Sequence, residues 1–141
     1  MRVLGLDVGT HRIGVALSDE TGLIASPLTY LNVGKNIEGV LGEVATLCSE
    51  HQVTTVVVGL PLSLGGGEGG SSVRRAKKMG ELLETTMDLR VVYWDERFTT
   101  MEAERLLVAA DVRRKSRRDV VDKVAAALIL QGYLDSKEYN E

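Results

Sequence analysis

Two spacings of apolar residues alternate along this chain. Residues 2–7 and 12–18, RVLGLD and RIGVALS, are short and almost continuously apolar. They read as two strands joined by a tight turn at Gly9-Thr10-His11-Arg12, where glycine suits a hairpin. Asp19-Glu20-Thr21-Gly22 forms the next turn, and residues 24–31, IASPLTYL, form a third strand that Pro27 confines to a sheet edge. The period then switches. Ile37, Val40, Leu41, Val44, Leu47 and Cys48 recur at helical spacing and predict a helix over 36–50. The β-branched run from Thr54 to Leu60 predicts a buried, parallel strand that Pro61 ends.

A loop, LSLGGGEGGSS, follows, with five glycines in residues 65–70. Ser71 or Ser72 is placed to cap a helix over roughly 73–87. Residues 90–94, RVVYW, read as another buried strand, ending in Asp95-Glu96-Arg97. Thr99-Thr100-Met101-Glu102 has capping-box spacing and starts a helix to about Ala110. After the loop DVRRKSRR a last helix runs from about Arg118 to Leu134, and the polar tail 135–141 is expected to fray. The order βββαβαβαα implies an α/β fold: a mixed five-stranded sheet, three antiparallel strands then parallel ones, flanked by helices in one domain over 1–134. In such sheets ligands gather beyond the carboxyl ends of the parallel strands.

Composition narrows the options. The 141 residues suffice for one core. With 17 basic and 20 acidic residues the net charge is -3, so any nucleic-acid contact has to come from local clustering. The single Cys48 excludes an intramolecular disulfide and a cysteine-rich zinc site, and belongs to the core. No signal-peptide pattern and no membrane-spanning run stand out, so a cytoplasmic location is the expectation. Aromatics make up 4% of the chain, too few for a protein built on stacking platforms.

The acids carry the chemistry. Asp7 ends the first strand, and Asp95 and Glu96 end the last. If the two strands run parallel, their acids emerge at one edge of the sheet. Asp122 shares a helical stripe with Ala125, Ala126, Ile129 and Tyr133, where a lone carboxylate is costly unless paired or metal-bound. Each acid also has a plain structural reading. Asp7 could bond turn amides, Asp95 and Glu96 could pair with Arg97, and Asp119 could serve in the first turn of its helix. Together, acids from separate elements without histidine or thiolate describe a hard oxygen site, suited to Mg2+ or Mn2+ rather than zinc. Glu68 in the glycine loop is a further candidate ligand.

Basic residues cluster beside these acids. Arg113, Arg114, Lys115, Arg117 and Arg118 precede Asp119 and Asp122, while Arg74, Arg75, Lys77 and Lys78 open another helix. Nine of the 17 basic residues thus lie in two short segments. Cations flanking a divalent-metal site fit a phosphodiester substrate. Thr10 and His11 in the first turn are candidates for contact with nucleic acid, as are Arg12 and Arg97.

The stretches GLDVGTHRIGVALSD (5–19), VVGLPLSLGGGEG (57–69), VVYWDERFTTMEAE (91–104) and DVVDKVAAALILQGYL (119–134) together resemble the YqgF family of pre-16S rRNA nucleases, also described as Holliday-junction-resolvase-like. The resemblance covers nearly the whole chain. It implies an RNase H-like fold and a bacterial cytoplasmic nuclease that matures the 5′ end of ribosomal RNA. The acids that match the family's active site are Asp7, Glu96 and Asp122, and the Asp119/Asp122 pair is similar to the i, i+3 acids ending related junction resolvases. His11 stands where the family commonly has lysine, and Leu64-Gly65-Gly66 replaces its usual Met-Asp-Gly, departures that bear on substrate contacts rather than on the acids.

The expected mechanism uses two divalent ions bridged by Asp7 and flanked by Glu96 and Asp122, with Asp119 assisting. The expected partners are precursor rRNA or branched DNA and ribosomal particles, met as a monomer or weak homodimer. Two other readings stay open. One is a non-catalytic nucleic-acid or ribosome-binding adaptor. The other is a nucleotide binder, because Asp7-Val8-Gly9-Thr10 also matches the phosphate turn of the actin/hexokinase class, although that class needs two lobes.

Overall fold

The computed structural model describes residues 2–34, 37–61, 70–96 and 117–140, and gives the backbone alone at 37, 117–123 and 138–140. A five-stranded sheet is built from β1 (Arg2–Val8), β2 (Arg12–Ser18), β3 (Ala25–Asn32), β4 (Val53–Leu60) and β5 (Arg90–Asp95), in the order β3-β2-β1-β4-β5. β1 to β3 pair antiparallel, and β1, β4 and β5 run parallel. The mixed sheet expected from the sequence is therefore present. β3 lies at one edge, as Pro27 requires, and the register slips by one residue opposite Val15 and Ala16, where Thr29 and Pro27 are their partners.

Each face of the sheet carries helices. On one face Leu4, Leu6, Val8, Ile13, Val15, Val56 and Val58 meet α1 (Leu41–Glu50) and α2 (Ser71–Met87), through Val44 and Cys48 and through Ala76, Met79 and Leu83. On the other, Val3, Ala16 and Val57 meet α3 (Arg117–Asn140) through Ala126, Ala127, Ile129 and Leu130. Small residues let α3 approach closely: a Cβ at Gly5 would lie 2.8 Å from Leu130 Cβ and 3.1 Å from the Ala126 carbonyl oxygen. Gln131 ties the same helix to the β2–β3 turn. Its Oε1 accepts the Ala25 amide at 2.8 Å and its Nε2 donates to the Leu23 carbonyl at 2.9 Å.

Several local expectations change. The segment expected as one helix over 36–50 is a 3-10 turn, Ile37–Val40, leading into α1. α2 begins at Ser71 with Gly70 as its N-cap and no side-chain cap, so Ser71 and Ser72 lie inside the helix. β5 is half-buried rather than buried, because it is the outer strand of the sheet and pairs with β4 alone among the described strands. α3 continues through Asn140, so most of the segment expected as a frayed tail is helical. The helix expected over 99–110 lies outside the described residues.

Candidate active site

The parallel strands β1, β4 and β5 all end at one edge of the sheet, and Asp7 and Glu96 meet there. Asp7 lies on the α3 face of β1, in alternation with Val3 and Gly5. Its partner across β2 is Gly14. On the other side, the pairing of Leu6 with Val58 brings Gly59 of β4 level with it. Glu96 follows β5 directly and reaches back over Gly59: a Cβ there would stand 3.2 Å from Glu96 Oε2 and 2.5 Å from Ile129 Cδ1. Gly59 is thus the gap through which a carboxylate from the outer strand approaches the one on the central strand. No sequence pattern announces this role. It depends on registers across three strands and on the seating of α3.

Adjacent aromatic residues hold the strand that delivers Glu96. Tyr93 points to the α2 face, where its hydroxyl donates to the Lys77 carbonyl at 3.3 Å. The missing side chain of Gly80 makes room, since a Cβ would lie 2.7 Å from the Tyr93 Cζ. Trp94 points to the α3 face and packs edge-on against Tyr133, ring centroids 6.4 Å apart, beside Gly132, whose Cβ would lie 2.8 Å from the indole nitrogen. These two anchors went unnoticed in the sequence. An aromatic pair at a strand end, with glycines in two apolar helix faces, was the available signal.

The electrostatics of the acids are unfavourable as they stand. Burial, then the charge of Asp7 and last that of Asp95, push the Glu96 carboxyl from its ordinary 4.5 up to about 7. Among the described residues no three His, Cys, Asp or Glu side chains are grouped closely enough to hold a metal ion. Two carboxylates, Asp7 and Glu96, converge at this position.

α3 is the element aimed at that position. Gln131 sits at the level where β1 starts, and Ala126 and Leu130 lie over Gly5, so the helix runs antiparallel to β1. One further turn carries its backbone ~6 Å along, and Asp7 is about 6.6 Å past Gly5, so position 122 comes level with Asp7. Position 122 shares the stripe of Ala126 and Ile129, as does position 119. The side chains of Asp119, Asp122, Arg117 and Arg118 are outside the described residues, as are Glu68, Arg97, Arg113, Arg114 and Lys115 altogether.

The remaining candidates sit on the β1–β2 hairpin at the same edge. The Gly9 amide donates to the Arg12 carbonyl at 2.9 Å, closing the turn, and Thr10 and His11 are exposed. Arg12 is half-buried, its guanidinium 4.4 Å from the centre of the Tyr30 ring. A concavity of about 580 Å³ lined by Arg2, Glu20, Glu50, His51 and Gln52 opens at the opposite end of the sheet, away from these groups.

Known proteins share this arrangement of strands and helices. Residues 1–136 match the family RuvX, described as Holliday junction resolvase. The chain belongs to the RuvX family. A relative from Bacillus cytotoxicus is 49% identical over 97% of this chain and 100% of its own length, and one from Halalkalibacterium halodurans is 46% identical over 98% and 99%. Both carry the provisional name pre-16S rRNA nuclease. The family description and the relatives' names agree on a nuclease, a hydrolase of phosphodiester bonds. Among solved structures this chain is similar to RuvC of Thermus thermophilus (TM-score 0.63, 16% identity, 97% of each chain). It is also similar to the Fowlpox virus resolvase in complex with Holliday junction DNA (TM-score 0.58, 11% identity, covering 97% of this chain and 99% of that one). At these identities the likeness concerns the fold alone, an RNase H-like mixed sheet flanked by helices. No helix among the described residues is long and apolar enough to cross a membrane.

Proposed function

We propose that this chain is a divalent-metal-dependent nuclease that matures the 5′ end of precursor 16S ribosomal RNA in the cytoplasm, acting on RNA or its ribosomal particle as a monomer or weak homodimer. The observation that carries the reading is the approach of Glu96 to Asp7 across Gly59, with the Glu96 carboxyl pushed up to about 7. Two carboxylates held together on rigid elements raise each other's charging cost, and a cation between them relieves it. Their oxygen-only donor set fits Mg2+ or Mn2+.

In this reading Asp7, on the central strand, and Glu96 would hold the ions, with Asp122 and Asp119 as the further carboxylates the sequence offers. When bound, the ions supply an activated water and charge stabilisation of the leaving oxygen. The protein orients the scissile phosphate against this edge. Thr10, His11 and Arg12 of the hairpin flank it on one side, and the sequence offers Arg97, Arg113, Arg114, Lys115, Arg117 and Arg118 as further phosphate contacts.

The test is cleavage of a precursor 16S rRNA fragment and of a four-way DNA junction by the protein and its Asp7→Asn variant, with Mg2+, Mn2+ or EDTA. The reading requires metal-dependent cutting of the RNA, lost in the variant. Cutting of the junction alone would reassign the substrate to branched DNA, in line with the family description. Intact substrates in every lane would leave a nucleic-acid-binding adaptor.

A further inference from the structure

We propose that the cationic first half of α2 is a second contact for the nucleic-acid backbone, on the sheet face opposite the acids. This rests on the nuclease reading for the substrate class and reaches a surface that reading does not use. α2 follows β4 and leads back to β5, which runs parallel to β4, so α2 starts at the edge where Asp7 and Glu96 lie. Its first half carries Arg74, Arg75, Lys77 and Lys78, and Glu81 and Glu84 come later. Arg74 and Lys78 are exposed one turn apart, while Arg75 and Lys77 are half-buried on the flanks of the apolar stripe Val73, Ala76, Met79, Leu83.

This order of charges runs against helix stability. The first turn of α2 holds no acid and its last turn no base, so the helix itself complements neither end of its dipole. Lys77 precedes Glu81 by four residues, the less favourable orientation for such a pair. Lys78 meets the exposed Glu38 at 3.6 Å, with its own side chain still 60% exposed. A surface arranged for stability would place these charges the other way round, and a surface arranged for phosphates would place cations at the catalytic edge, as here. Tyr93 links the two sites, because its hydroxyl donates to the Lys77 carbonyl and its strand leads directly into Glu96. RNA and branched DNA offer the same phosphodiester chemistry to this surface.

The experiment compares the full-length protein with the double variant Arg74→Gln/Lys78→Gln and with Lys137→Gln, a control at the other end of α3. Affinity for the precursor rRNA fragment and for the junction is measured by fluorescence anisotropy across a salt series in EDTA, with Tm followed in parallel. Where cleavage occurs, KM and kcat are taken separately. The double variant is expected to lose about three- to tenfold in affinity and to flatten the salt slope by roughly 1–2, the signature of two lost phosphate contacts. KM rises with kcat unchanged, Tm does not fall, and Lys137→Gln behaves as the parent. A loss shared by both nucleic acids supports backbone recognition, and a loss confined to one names that one as the partner. Unchanged affinity and slope, binding of neither nucleic acid by the parent, or an affinity loss that follows a fall in Tm would overturn the proposal. Absence of cleavage alongside an α2-dependent affinity would defeat the catalytic reading and leave this surface standing.

Discussion

The two ends of the sheet treat a carboxylate in opposite ways. At the end where β1 starts, Asp19 sits exposed in a turn, accepts the Leu23 and Ile24 amides at 2.8 and 3.0 Å and the Thr21 hydroxyl, and is held down to about 2, chiefly by that hydroxyl. At the end where β1 stops, Glu96 is drawn into a half-buried position beside Asp7 and pushed up to about 7. Asp19 is a finished piece of architecture, since its charge is wanted where it is. Glu96 is an unfinished one, because its charge is opposed by burial and by two neighbouring acids. A carboxylate kept in such a position is a candidate for function, and the proposed cation site gives its charge a partner.

The sharpest way to break this contrast is Asp7→Asn. Cleavage of the preferred substrate should fall by at least the roughly 10–100-fold that even loss of an outer partner costs at a metal site, with affinity retained. Single-turnover cleavage beside a binding assay checks it, and an active variant would make Asp7 structural. Next in size is Gly5→Ala. Its Cβ would press on Leu130 Cβ and the Ala126 carbonyl, so α3 has to shift, at about 1–3 kcal/mol for overpacking. Thermal melting should show the loss, and activity should fall with it because α3 carries Asp119 and Asp122.

A smaller effect follows from Glu96 itself. Its folded pKa lies above the ordinary 4.5, so the folded state holds the extra proton. The associated stability is fully present below about 4.5 and is lost as pH rises through about 7. In EDTA, Glu96→Gln should therefore be more stable than the parent at pH 8, by roughly 3–6 °C once partial exposure is discounted, and much closer to it at pH 4.5. Saturating Mn2+ should reverse the order at pH 8 if the parent binds the ion and the variant does not. The smallest effect belongs to Asp19→Asn. Its lowered pKa means the turn's contribution is present above the ordinary 3.8 and is lost as pH falls through about 2. Acid titration of the melting temperature should change in that window alone, with cleavage untouched.

The strands were legible because their signals are local. β-branched runs, Pro27 and the Gly9 turn each declare themselves within a few residues. The acids at strand ends were legible for the same reason, and the structure joins Asp7 with Glu96 as the parallel order implied. What stayed hidden depends on partners far along the chain. Whether β5 is central or outer cannot be read from RVVYW, since the same apolar run suits either position. Gly59 looks like a flaw in a strand until β1, β5 and α3 are seated around it. Gly70 took the cap from Ser71 because the helix begins one residue earlier than the first serine allows.

Tyr93 and Trp94 give the outer strand an unusual motional character. An edge strand exposes one row of amides and opens readily by local fluctuation. Here consecutive rings are seated in glycine notches of α2 and α3, on opposite faces of the sheet. Releasing the segment before Glu96 means lifting both rings at once, which disturbs both helical layers. The β5 amides should thus exchange with solvent hydrogen at rates near those of β1 and β4, and the spacing of Glu96 from Asp7 should persist for as long as the domain stays folded.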